Sequence, residues 1–336
     1  MRRAALLALV AALGLAAPAT AEAASWAQPQ IRIVVREGVM GPSVTAFRPQ
    51  DPLTRAALAR ALTAFTGVAH TTAQPDRRVR MLELDRALVR AAGLLGSARH
   101  VLAEARAAGL APPARFGSEV VARLLGLRYN HPSNRDGLEL LPGDPATRAE
   151  TAYSFAKLLE LSSWTAPSAK ARADDFDLPE LTDWQRRVLT RTVSFVGFPY
   201  VWGGTSERTQ TLFGVTSRGG FDCSGFAWRI YRLESYSGAP QLRNVLRGRT
   251  ASAMAGEVPV SARIRRRSGL RPGDLIFFSE RGTEARPGDV SHMGIYAGGG
   301  WFVHSSSQGT TMTTLSGWYA DRFAWGRRPL REAGLT

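Results

Sequence analysis

The chain has 336 residues and a formal net charge of +15, carried almost wholly by arginine, since Lys157 and Lys170 are the only lysines. That length suits two domains, and the basic residues are spread without interleaved aromatics, which argues against a nucleic-acid partner. A single cysteine excludes an intrachain disulfide framework and zinc sites built from several thiolates.

Arg2 and Arg3 precede an apolar run from Ala4 to Ala17, followed by the small-x-small pattern Ala19-Thr20-Ala21 and again Ala21-Glu22-Ala23. This predicts a cleaved export signal over residues 1–23. The run is short of the roughly 20 residues a membrane-spanning helix needs. No later segment is long and apolar enough, so no integral membrane span is expected after signal removal.

An internal repeat follows. Arg48-Pro49-Gln50-Asp51-Pro52-Leu53-Thr54-Arg55-Ala56 resembles Leu141-Pro142-Gly143-Asp144-Pro145-Ala146-Thr147-Arg148-Ala149. Each reads as an extended Pro-containing turn, a Thr N-cap and an amphipathic helix, with Glu150 completing a capping box for Thr147. Ala57 stands where the equivalent acid would follow Thr54. A third helix of the same kind, 79–94, has Glu83 and Asp85 at its start but no Thr-Arg pair. The pattern over residues 24–162 resembles S-layer homology repeats, with Trp26 to Gly41 as the helix preceding the first turn. That resemblance implies an all-α domain that binds anionic secondary cell-wall polysaccharide, and it nominates Arg55 and Arg148 as contacts. The alternative is a helical packing domain whose Thr-Arg pairs are only caps.

Residues 163–181 read as a linker, with Pro167, Pro179 and the acidic Asp174, Asp175 and Asp177. A new helix starts at the capping box Thr182 to Gln185 and opens a second domain, 182–333. Three segments there carry chemistry. Phe198-Pro199-Tyr200-Val201-Trp202-Gly203-Gly204 is a strand-like aromatic run closed by a double glycine. Phe221-Asp222-Cys223-Ser224-Gly225-Phe226 sets the cysteine at a helix start, where free amide N–H groups and the dipole are expected to favour thiolate. Val290 to Tyr296 and Trp301 to His304 read as a β-hairpin around a glycine turn, which would set His292 and His304 nearly opposite on one face, uncrowded beside Gly294. A base oriented by a third polar group is what nucleophilic catalysis requires.

In order and as a set, Tyr200 to Gly204, Asp222 to Gly225, Pro272-Gly273-Asp274-Leu275, His292 to Ile295 and His304 resemble the NlpC-type cell-wall peptidases, a branch of the papain-like cysteine peptidases. The resemblance implies an α+β fold, in which helices pack on an antiparallel sheet and follow a separate all-α N-terminal domain. It implies Cys223 as nucleophile, His292 as base then acid, His304 as orienting group, and Tyr200 beside the oxyanion. Asp222 would cap the Cys helix or meet the substrate amine, with Ser224 in support, and Trp202 is expected to pack under the hairpin. The implied substrate is peptidoglycan, cut between D-isoglutamate and the diamino acid, by a secreted, wall-associated enzyme without metal or cofactor. The rival readings are a non-hydrolytic wall-binding protein and an amidase or acyltransferase using the same triad. Residues 205–221 and 279–289 are longer than the family usually has, and both are expected to flank the cleft.

Overall fold

The computed structural model describes residues 25–335; the expected export signal lies outside them. The helical half contains α1 (Gln28–Arg36), α2 (Arg55–Thr66), α3 (Met81–Ala91), α4 (Leu95–Ala107), α5 (Phe116–Leu124) and α6 (Arg148–Leu159). Three of these helices, α2, α3 and α6, start from one hub. The extended residues ahead of them close a ring of backbone hydrogen bonds, Leu53 to Ala146 (2.8 Å), Ala146 to Val79 (2.8 Å) and Val79 to Leu53 (2.9 Å). The three side chains at this ring are buried, so the amides that a loop would give to water are paired with one another.

The middle repeat therefore stands in the same position as the other two, although its sequence match is poor. Thr54 and Thr147 cap their helices by accepting the N–H of Ala57 (3.2 Å) and Glu150 (3.1 Å). At the middle start Arg80 cannot accept, and the Glu83 carboxylate takes the Arg80 N–H instead (2.9 Å). The cap is thus supplied by the acid end of the capping box alone.

The expected linker 163–181 is instead structural. Helix α7 (Thr165–Asp174) packs against α4 and α5, and Ala169, Ala173, Phe176, Leu178 and Leu181 are buried. Pro167 falls in the first helical turn, where a missing N–H leaves no bond unmade. Small alanines on one face let the helix approach its neighbours. Phe176 then meets Trp301 edge-on, with centroids 5.1 Å apart. The composition that suggested a spacer is that of a close-packed connection. Nor are the halves separate bodies, because one continuous buried apolar cluster runs from Ala27 to Leu335. None of the described helices is long and apolar enough to cross a membrane.

The second half adds α8 (Asp183–Ser194), β1 (Thr205–Ser206), β2 (Gln210–Leu212), β3 (Val215–Ser217), β4 (Gly220–Phe221), α9 (Cys223–Trp228) and α10 (Ala251–Gly256). They are followed by β5 (Leu275–Phe278), β6 (His292–Gly298), β7 (Trp301–Ser306), β8 (Gly309–Thr314), α11 (Trp318–Asp321) and β9 (Phe323–Arg327). The main sheet is antiparallel with order β8-β7-β6-β5-β9. Strand β5, Leu-Ile-Phe-Phe, lies between β6 and β9 and is buried on both faces. Helix α9 lies across β6 and β7 and continues into a π-turn at Arg229–Leu233. This is the α+β arrangement expected, with the cysteine helix set on an antiparallel sheet.

A buried charge cluster of the helical half also reaches across to the second half. Arg123 of α5 bonds Glu119 (2.5 Å) and donates to the Gly197 carbonyl at the end of α8 (2.9 Å), while Arg128 pairs with Asp85 (2.8 Å). All four charged side chains are buried. Burial pushes Asp85 up, whereas Arg123 holds Glu119 below the usual carboxylate range. Replacing Arg123 with Met keeps the volume but leaves Glu119 and the Gly197 carbonyl unpaired. We expect a loss of about 3–5 kcal/mol in urea unfolding followed by tryptophan fluorescence; a loss below about 1 kcal/mol would show that the cluster does not hold the halves.

Candidate active site

Helix α9 begins where Asp222, in extended backbone, turns the chain into helix. Its Oδ1 accepts the Gly225 N–H and the Ser224 hydroxyl (3.0 Å), and its Oδ2 accepts the Gly203 N–H (3.0 Å). Arg249 donates to both oxygens (3.2 and 3.1 Å), to Ser224 Oγ (2.8 Å) and to the Gly203 carbonyl (2.9 Å). Asp222 is thus a cap with every lone pair engaged. Ser224 is buried within the same network. Gly225 permits it: a Cβ there would lie 1.9 Å from the Gly204 carbonyl oxygen. The double glycine and the Cys helix are one interlocked turn.

Cys223 is the first residue of the helix and opens into a cleft of ≈ 520 Å³ shared with Tyr200, His292, Arg249 and Trp202. His292 stands at the start of β6. Continuing the β6–β7 register, in which Ile295 pairs Val303 and Tyr296 pairs Phe302, puts His304 across from Gly294. The two histidines are therefore diagonal neighbours rather than directly opposed. Their rings close the gap, with His292 Nε2 and His304 Nδ1 2.8 Å apart. Gly294 makes the space, because a Cβ there would sit 2.7 Å from Phe302 and 3.2 Å from the His304 Cβ. Phe278 stacks on the His292 ring at 5.8 Å between centroids and 28°.

His304 is buried, and its Nε2 lies 3.5 Å from the Tyr319 hydroxyl. If His292 is to present a bare Nδ1 to the cleft, its Nε2 must carry hydrogen and donate to His304 Nδ1. His304 then carries its own hydrogen on Nε2, towards Tyr319. One tautomer assignment satisfies all three groups.

The resting charge state differs from the expectation of a helix-stabilised thiolate. Burial pushes the Cys223 thiol up, to about 12, and the Asp222 carboxylate adds to it. The backbone amides of Ser224 and Met293, and Arg249, pull the other way without prevailing. Desolvation holds His292 down, to about 4, and His304 well below its ordinary value. The short dipole of the helix start is outweighed by the loss of water around sulfur. The site rests as neutral thiol and neutral imidazoles.

Other sequence expectations divide. Tyr200 lines the cleft, with its hydroxyl kept protonated by burial and by neighbouring Cys223. Trp202 does not pack under the hairpin: it is 57 % exposed on the rim of the cleft. Its backbone N–H donates to Asp136 Oδ2 (3.1 Å), a residue of the helical half. The 205–221 insertion is a two-tier hairpin, β1 with β4 and β2 with β3, closed by Phe213-Gly214. Both turn residues have positive φ, 51° and 82°, the geometry of a type I′ turn, which costs a phenylalanine about 1–2 kcal/mol. The 279–289 insertion forms two 3-10 turns, Gly282–Glu284 and Pro287–Asp289, and the second packs on α10.

Arg55 and Arg148 lie apart from this cleft. Arg55 donates to Gln74 (3.1 Å) and Glu83 (3.3 Å). Arg148 donates to the Phe47 carbonyl (2.7 Å), stacks over that ring at 4.6 Å and lines a groove of ≈ 320 Å³ with Arg60. Sequence reading missed Arg249, Tyr319 and Asp136. Each is brought in from a distant segment without a motif of its own; the only local signal is Thr250, which caps α10 just after Arg249.

Residues 197–328 match the model of the NlpC/P60 family, and residues 20–59 that of the S-layer homology domain. The chain is 33 % identical over 123 residues to the gamma-D-glutamyl-L-lysine dipeptidyl-peptidase of Bacillus subtilis, covering 36 % of this chain and 32 % of that protein. It is 34 % identical over 145 residues to the murein DD-endopeptidase MepH of Escherichia coli, covering 42 % and 44 %. The chain thus spans less than half the length of these curated relatives. Among solved structures, an NlpC/P60 family protein from Bacillus cereus aligns with a TM-score of 0.33 at 25 % identity, covering 46 % of this chain and 43 % of that one.

The two histidines make stability depend on pH. An unfolded histidine takes its proton near pH 6.5, while folded His292 resists until about 4. Between those values the unfolded state binds more protons, so this contribution is lost as pH falls. Asp85 and Glu139, raised by burial, act with opposite sign in the same range. The readout is therefore the difference between wild type and His292→Gln in urea unfolding. We expect it to change by up to ~1.4 kcal/mol per pH unit between pH 6.5 and 4, and a flat difference would refute the neutral assignment.

Proposed function

For a chain that carries an NlpC/P60 domain over residues 197–328, we propose a cell-wall hydrolase: a cysteine endopeptidase that cuts peptidoglycan stem peptides between D-isoglutamate and the diamino acid. The observation that carries this reading is that His292 lines one cleft with Cys223 and meets the buried His304 at 2.8 Å. The similarity to the gamma-D-glutamyl-L-lysine dipeptidyl-peptidase of Bacillus subtilis supports the bond.

Since thiol and imidazole rest neutral, the nucleophile is made as it is used. As Cys223 Sγ bonds to the scissile carbonyl carbon, its proton passes to His292 Nδ1. The imidazolium is stabilised by His304, whose Nδ1 accepts the Nε2–H of His292. The carbonyl oxygen takes the negative charge, and the backbone N–H of Cys223 with the protonated Tyr200 hydroxyl are donors for it. Collapse breaks the C–N bond, and the proton on His292 goes to the leaving amine. Water, deprotonated by the same nitrogen, then releases the acyl group and regenerates the thiol. Asp222, with its oxygens occupied, acts here as cap and anchor of Arg249 rather than as a free carboxylate for the substrate amine.

Purified protein incubated with peptidoglycan should release stem-peptide fragments cut at that bond. Cys223→Ala should lower the rate by at least about 10³-fold. Equal release by the variant, or none by wild type, would overturn the peptidase reading in favour of a binding protein. Release of intact stem peptides from the glycan would instead favour an amidase.

The helical half is proposed to tether the enzyme to the wall, raising its effective concentration at the substrate. Arg148, with its guanidinium on a groove shared with Arg60, is suited to an anionic polysaccharide; Arg55 is engaged with Glu83 and contributes less. In sedimentation with purified wall, Arg148→Ala should weaken binding about tenfold, the effect of losing one charge-assisted hydrogen bond. Stripping the secondary polymer should weaken wild type at least as much. Binding that survives both changes would discard the polysaccharide assignment.

A further inference from the structure

The 205–221 hairpin carries a feature that neither folding nor the acyl-transfer chemistry requires. Phe213 occupies a left-handed turn position, φ 51°, where glycine or asparagine is unstrained. It is 81 % exposed, so the strained position is not offset by burial. Its ring edge rests against Gly203, where a Cβ would lie 3.0 Å from Phe213 Cε2. That sets it on the same rim as Trp202, and both rings line the cleft that holds Cys223. A backbone outlier held at a site of this kind points to a use for the side chain it displays.

The hairpin is braced from behind, which makes it a platform and not a lid. Arg218 pairs with Asp144 of the helical half (3.4 Å). Gly137 lies so close that a Cβ there would be 3.0 Å from the Thr216 carbonyl oxygen. Asp136 holds the Trp202 backbone N–H (3.1 Å). The backbone that displays the two exposed rings is thus held by contacts with the helical half.

We propose that Phe213 and Trp202 form an aromatic platform that takes the C–H face of a pyranose ring, so that the enzyme prefers stem peptides still joined to the glycan strand. This rests on the peptidoglycan reading above. Within that polymer the stem peptide offers small aliphatic side chains, carboxylates and amines. The sugar rings alone present an extended flat apolar face with a polar rim, which can cover two aromatic faces while its hydroxyls stay in water. The platform lies on the wall of the cleft formed by residues 200–222, where Gly203 also bonds the Asp222 that caps the Cys helix.

The test compares kcat/KM for a disaccharide-linked tetrapeptide with that for the same tetrapeptide freed of sugar. Wild type should prefer the sugar-bearing substrate about tenfold, expressed in KM, as expected for withdrawing some 50–60 Å² of apolar surface from water. Phe213→Ala and Phe213→Asn should each bring that ratio close to one. Asparagine suits the turn, so the second variant should melt no lower than wild type and removes misfolding as an explanation. Calorimetric titration of Cys223→Ser with both ligands, with and without Phe213→Asn, reads the same ratio without turnover. If wild type cuts neither ligand, the peptidase reading fails and the binding ratio alone decides. A ratio of one in wild type, or an unchanged ratio in both Phe213 variants, overturns the platform.

Discussion

The carboxylate of Asp222 receives the N–H groups of Gly225 and Gly203, the hydroxyl of Ser224 and two nitrogens of Arg249. Those five bonds, with the bonds of Arg249 to Ser224 and to the Gly203 carbonyl, join the Cys helix, the double-glycine turn and the segment before α10. Without this acceptor the first turn of α9 would lose its cap, and Arg249 would be left beside the cleft without its countercharge. The direction in which Cys223 faces follows from that cap. So do the position of the aromatic run ending at Gly204 and the entry to the inserted hairpin.

Around this anchor the two halves divide the work of building one cleft. The sheet supplies His292 and His304 on adjacent strands, and strand geometry keeps their rings within hydrogen-bonding reach. The helical half supplies the backing: Asp136 and Asp144 hold the rim and the hairpin, and Arg123 reaches the Gly197 carbonyl ahead of Tyr200. The hub of Leu53, Val79 and Ala146 makes that half stiff enough to serve as a brace, because three extended segments satisfy one another's amides in a closed ring. A helical half fused in this way cannot swing freely from the site, so the wall attachment proposed for it would orient the cleft as well as concentrate it.

The same burial that organises the site sets its protonation. Removing water from Cys223 and the two histidines costs the charged forms more than the helix start returns. The consequence is a site that stores no ion pair, and the proposed proton transfer waits for a carbonyl to receive the sulfur. Strain enters at a different place, the Phe213 turn, outside the reacting groups.

The order of residues by itself determined the chemistry-bearing segments. An Asp-Cys-Ser-Gly run before a helical stripe, and two histidines flanking a glycine turn in alternating strands, are local patterns with local causes. They were legible, as were the capped starts of α2, α6 and α8 and the α+β class. Tertiary structure alone decided what lies between and behind those segments. Residues 163–181 have the composition of a spacer and became packed structure, since alanine spacing counts only when a partner helix is present. The middle repeat lacks its Thr-Arg pair and still completes the hub, since backbone hydrogen bonds do not depend on side-chain identity. Arg249, Asp136 and Tyr319 meet Asp222, Trp202 and His304 from 27, 66 and 15 residues away, separations at which no periodicity carries information. The protonation state of Cys223 was equally out of reach, because a helix start is visible in sequence whereas the water excluded from it is not.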